Sequence, residues 1–279
     1  MKISNQVNHI ESVFPDGKFS LEKWTDYIET FLPNSSHIFL EDADVVPQWS
    51  KCLPIIQDVI KKGSKLEEAI ESFITVTIDL DQKVRDQFGK SLEAEIILYL
   101  GLCNGAGWVK AINGQTRVLL GIEKIIELDW CDLNSMVGLI YHELGHVYQE
   151  QYGTLERMFD DSQDQLLWQL FTEGIAMYFE QKLVGDFNYY HQDKHGWKEF
   201  FNHNLDTLKK DFNRDLTTRK KQNYFGDWTN YHNFGDSGYY LGTKLIHFIL
   251  RTNDFDSILS FDIGQVKAYY KEFLEVAYQ

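Results

Sequence analysis

The stretch His142-Glu143-Leu144-Gly145-His146 limits what this chain can fold into more than any other. Histidines four apart lie on one face of an α-helix, about a turn from each other. Both imidazoles can then ligate one metal ion, and Glu143 can hold a water against it. Zinc lowers the pKa of bound water to about 7, and a neighbouring carboxylate can take the proton. The flanks extend the helix. Leu133, Met136, Val137, Leu139 and Ile140 precede the motif, Val147 follows it, and Asp132 is placed to cap the start.

Catalytic zinc usually takes three protein ligands and keeps one position open. One known spacing wants a Gly three residues after the second His and a further His three beyond. Those positions hold Gln149 and Tyr152, which excludes it. The alternative is a glutamate on a later helix. Glu173 shares a helical stripe with Leu166, Leu170 and Met177, which predicts that it faces inward. Ser162 with Gln165 reads as the capping box that opens this helix, and Gly185 as its end. Gly174 and Ala176 are small enough to let two helices approach and share a metal through Glu173.

An H-E-x-x-H helix followed by a Glu173-Gly174-Ile175-Ala176 helix resembles the gluzincin metallopeptidases. Within them it looks most like the bacterial predicted zinc-dependent proteases with an E-G-[IL]-A segment and a later G-Y-x-x-G, here Gly238-Tyr239-Tyr240-Leu241-Gly242. The resemblance covers roughly residues 92 to 250. It implies a zinc peptidase with His142, His146 and Glu173 as ligands and Glu143 as general base. Thermolysin-type enzymes carry an aspartate four residues after the ligand glutamate. Position 177 here is Met, so the partner that orients a ligating histidine has to come from elsewhere. A phenol that stays protonated at neutral pH suits oxyanion stabilisation. Tyr239 is the candidate, with Tyr240 and His232 in reserve.

The rest of the chain is read as support for that unit. Residues 1–90 read as a helical N-terminal portion, with helices over Phe19–Leu32, Cys52–Lys61 and Lys65–Val76. Residues 91–279 read as the catalytic domain. Three apolar runs, Ala94–Leu102, Trp108–Ile112 and Thr116–Ile122, predict a small antiparallel sheet, with Asn113-Gly114 as a hairpin turn. Trp108–Ala111 or Arg117–Gly121 is expected to line the cleft. His191 and His195 stand at helical spacing without an intervening glutamate and read as surface. Asp211–Asn223 reads as solvated, Tyr224–Phe234 as an aromatic loop, and Phe255–Tyr278 as one last helix. The expected class is a mostly helical α+β fold.

A formal charge of −15 argues against nucleic acid and anionic membrane surfaces, both of which call for clustered Lys and Arg. The N-terminus lacks an apolar leader and no run of 18 apolar residues occurs, so a cytoplasmic protein is expected. Cys52, Cys103 and Cys131 are widely spaced and odd in number, which predicts free thiols. Peptide or protein is the expected substrate and one zinc ion the expected cofactor. A non-catalytic metal-binding protein and a hydrolase of non-peptide amides are the competing readings.

Overall fold

Glu95-Ile96-Ile97-Leu98-Tyr99 is buried along its whole length, the signature of a strand covered on both faces. The structure, a computed structural model of the chain, describes residues 1–45, 49–218, 224–226 and 228–276. Its strands are β1 (Lys2–Asn5), β2 (Glu95–Tyr99), β3 (Gly107–Ile112) and β4 (Gln115–Gly121). They form one four-stranded sheet in the order β1-β2-β4-β3. The helices are α1 (Leu21–Phe31), α2 (Ser36–Val45), α3 (Trp49–Asp58), α4 (Gly63–Thr77), α5 (Leu80–Phe88) and α6 (Ile122–Glu127). They continue with α7 (Leu133–Tyr152), α8 (Ser162–Val184), α9 (Trp197–Thr218), α10 (Ser237–Ile249), α11 (Phe255–Ile258) and α12 (Ile263–Glu275). The fold is mostly helical with a small sheet, as expected.

The sheet is mixed, which corrects the antiparallel expectation. β1 and β4 both run parallel to β2, and only the β3–β4 hairpin is antiparallel. Asn113 and Gly114 both have positive φ, 52° and 72°, as a two-residue primed turn requires. The reason for the mixed order lies in which strand needs covering. Val118, Leu119 and Leu120 are fully buried, whereas Lys110 and Ala111 of β3 are exposed. β4 therefore takes the interior slot and β3 the edge, and the loop after β2 steps across the intervening strand. β1 escapes a sequence reading altogether. Its residues show no alternation of burial, and it joins the sheet through backbone pairing from Lys2–Glu95 to Asn5–Leu98.

The chain packs as two compact units, Met1–Glu143 and Leu144–Gln279, with the division inside α7. The boundary expected near residue 90 falls within the first unit. There the Trp24 indole donates to the Leu100 carbonyl at 2.8 Å, and the Tyr27 hydroxyl accepts from Leu100 N–H at 3.1 Å. In the second unit, α8 is buried almost all round, from Leu166 to Leu183. The expected single helix over Phe255–Tyr278 is broken into α11 and α12. Asp254 caps the first through Ser257 N–H, and Asp262 with Gln265 forms a capping box that starts the second. Its final residues lie outside the described ones, as do 219–223 of the expected solvated stretch. That stretch is helical up to Thr218. Among the described residues no helix is long and apolar enough to cross a membrane.

One buried acid is tied into the first unit. Glu123 is 1% exposed and accepts from the N–H groups of Gly101 at 2.7 Å and Cys103 at 3.0 Å. Burial pushes its carboxyl from 4.5 up to about 7. A group that holds its proton more tightly when folded contributes stability that fades as pH rises from 4.5 to about 7. That span corresponds to about 3 kcal/mol. In urea titrations from about pH 4.5 to pH 8, the wild type should lose about 3 kcal/mol more than Glu123→Gln. Parallel profiles would show that Glu123 is already ionised in the acid-folded protein.

Candidate metal centre

Asp132 caps α7 as its position predicted, with Ser135 N–H donating to Oδ1 at 3.0 Å. The helix then runs unbroken through the motif to Tyr152, so His142 and His146 stack on one face. α8 opens one residue earlier than the expected capping box. Asp161 is the cap, accepting from Gln163 N–H at 2.9 Å, because an ionised carboxylate suits a helix N-terminus better than a hydroxyl. Gly185, at φ 85°, ends the helix as expected.

The close approach of α7 and α8 is made by residues that the sequence only half revealed. A Cβ on Gly145 would lie 2.6 Å from Cα of Ala176 and 3.1 Å from Cβ of Phe179. The two backbones therefore touch at the middle of the motif. Gly174 serves another neighbour, since a Cβ there would lie 2.4 Å from the carbonyl oxygen of Gly242 on α10. Residues two apart point roughly 200° away from each other on a helix. Ala176 therefore faces α7 while Gly174 faces α10. The clue to Gly145 was available, because glycine inside a helix costs about 1 kcal/mol and needs a packing reason.

This approach brings Glu173 Oε2 to 3.2 Å from His146 Nε2. One ligand atom each from His142, His146 and Glu173 lies within 4.8 Å of the others. Tetrahedral zinc with bonds of about 2.1 Å spaces its ligand atoms by about 3.4 Å. Two imidazoles and a carboxylate are also the donor set of a hydrolytic zinc site. The residues fit the ion in kind, and their donor atoms are gathered in one place. His142 and Glu143 are buried, while the His146 and Glu173 side chains keep 14% and 15% exposure. The group is reachable from outside on the Glu173 side.

Glu143 lies against the backbone of Gly107, the first residue of edge strand β3. Of the two strands expected at the cleft, only Trp108–Ala111 is at an edge. Arg117–Gly121 is in β4, paired on both sides, and cannot take up another strand. Tyr239 is the third residue of α10, half-buried, with its ring 5.7 Å from Phe225. Tyr240 is buried, and its hydroxyl donates to Asn202 Oδ1 while its ring stacks on Phe201 and Tyr190. His232 is exposed at φ 54° and packs on Tyr231. Cys52, Cys103 and Cys131 are free thiols.

The surface reading holds for His195, which is exposed, and is overturned for His191. Neither is helical, and His191 is buried with Nδ1 3.0 Å from both carboxylate oxygens of Glu180. Its partner belongs to α8, an element that local spacing could not reveal. The chain matches no family model, no curated protein and no solved structure.

Gly145→Val would put a branched side chain into the backbone of α8. It should destabilise the protein by about 1–3 kcal/mol. Zinc affinity, measured by chelator competition, should fall about 10- to 100-fold as Glu173 is moved away. Wild-type affinity in this variant would mean that the helix contact does not set the ligand geometry.

Proposed function

We propose that this chain is a zinc-dependent peptidase of gluzincin type. The observation that carries the reading is the cluster of His142, His146 and Glu173, with Glu143 on the same helix and outside the cluster. The three clustered side chains hold the ion. Zinc bound there supplies the Lewis acidity that brings the pKa of a water to about 7 and polarises a carbonyl. Glu143 takes the proton of the attacking water and passes it to the leaving amine nitrogen. A carboxylate already committed to the metal could not do this. Tyr239, as a neutral donor, is the proposed partner of the carbonyl oxygen as it gains charge.

Peptide is favoured as substrate because β3 is, among the described residues, an edge strand carrying exposed positions at Lys110 and Ala111. An extended chain can pair with such an edge through its backbone, independent of side chain. The net charge of −15 supports a substrate other than nucleic acid. A purely structural metal site has no need of a base beside it, so Glu143 argues for catalysis.

Glu143→Gln should keep stoichiometric zinc and lose about 100- to 10,000-fold in kcat on a peptide library. His146→Ala should lose the metal, read by atomic absorption after dialysis. An unchanged rate in Glu143→Gln refutes the general-base role. A zinc-loaded wild type that turns over no peptide identifies a non-catalytic metal-binding protein instead.

A further inference from the structure

Glu143 is 5% exposed, and its side chain lies against the backbone of Gly107. A Cβ built on Gly107 would lie 2.5 Å from Glu143 Oε1 and 2.8 Å from both Cδ and Cγ. Real side chains do not come that close, so the outer half of Glu143 occupies the space that any other residue at 107 would fill. The contact involves Cγ and Cδ as well as the tip. Rotating the carboxylate alone would not relieve it.

The backbone at Gly107 is itself held at several points. Gly107 is the register partner of Leu120 on β4. Gly121 N–H donates to the Ala106 carbonyl at 3.0 Å. Gly121 also lies against Gly105, whose oxygen would be 2.6 Å from a Cβ there. Upstream, Glu123 holds the N–H groups of Gly101 and Cys103, and Asn104 donates to the Phe39 carbonyl at 3.0 Å. The loop is pinned at both ends, so the wall beside Glu143 does not yield easily.

We infer that Gly107 is a positioning residue for Glu143, its bare backbone admitting and fixing the carboxylate in the one direction the reaction uses. The inference rests on the proposed peptidase reading. Because the crowded group is a flexible side chain, Gly107→Ala can fold by swinging Glu143 aside. The price is then catalytic, since misplacing a catalytic group by about 1 Å can cost 100-fold.

The test uses the full chain loaded with zinc. Gly107→Ala should retain one zinc per chain and a KM within about threefold of wild type, with kcat lowered at least tenfold, as for misplacement of a catalytic group. Its crystal structure should show the Glu143 carboxylate displaced by about 1 Å or more. Wild-type kcat, or an unmoved Glu143, overturns the inference. If Gly107→Ala melts markedly lower, the double variant Gly107→Ala/Glu143→Ala should recover the melting temperature, because it removes the crowded atoms. Failure to recover also overturns it. A zinc-loaded wild type without turnover refutes the peptidase reading, and the displacement and the melting rescue still decide the contact.

Discussion

The structure depends on one absence, the missing side chain at Gly145. Packed helices usually keep their axes 8–10 Å apart, a distance set by the side chains between them. Where Gly145 meets Ala176 the backbones come into contact, and a glutamate three residues before Ala176 can reach the histidines. α8 is fixed from another side by the same device. Gly174 meets Gly242 of α10, whose own Cβ position lies 2.6 Å from the Leu170 carbonyl. α8 is thus clamped through glycines on two faces, and Glu173 comes immediately before Gly174 in sequence. Such contacts are backbone to backbone, so they hold position more rigidly than side chains with rotamers to lose.

The helices at the centre of the fold were legible because their signals are local. Asp132, Gly185 and the apolar periodicity of α7 each act within a turn or two, and each is found where it was read. The hairpin was legible for the same reason, since Asn113-Gly114 constrains its own backbone. What failed involves distance along the chain. Strand direction is decided by which strand is most in need of cover, a comparison among segments. β1 carries no pattern of its own, and its place follows from an edge that β2 offers. The division of α11 from α12 is marked by Asp262 and Gln265, a local signal set within a continuous apolar pattern.

Around the candidate site, residues with chemistry were visible and residues that make room for them were not. His142, Glu143, His146 and Glu173 announce themselves by type and spacing. Gly107 and Gly145 act by lacking atoms, and what they lack matters only when the opposing surface is known. The glycine beside Glu143 belongs to a strand and lets a polar side chain settle against backbone, whereas the glycine beside Ala176 belongs to a helix and lets two backbones meet. Main chain is a firm wall for the Glu143 carboxylate, because its place is fixed by sheet pairing and not by a rotamer.

α8 carries two glutamates that each meet a histidine, and the comparison explains why only one of them belongs to the candidate metal site. Glu180 and His191 are 0% and 3% exposed, and His191 Nδ1 is equidistant from both carboxylate oxygens at 3.0 Å. The pair is sealed, and the Glu180 carboxylate also accepts from the His191 backbone N–H. It fastens the segment after α8 to the helix, as buried polar groups must be partnered to be tolerated. Glu173 and His146 remain partly open, at a similar separation of 3.2 Å, and a second imidazole stands one turn away on the same helix. Identical residue types thus serve opposite ends. Enclosure turns one pair into a rivet, whereas access and a third donor make the other the candidate for an ion.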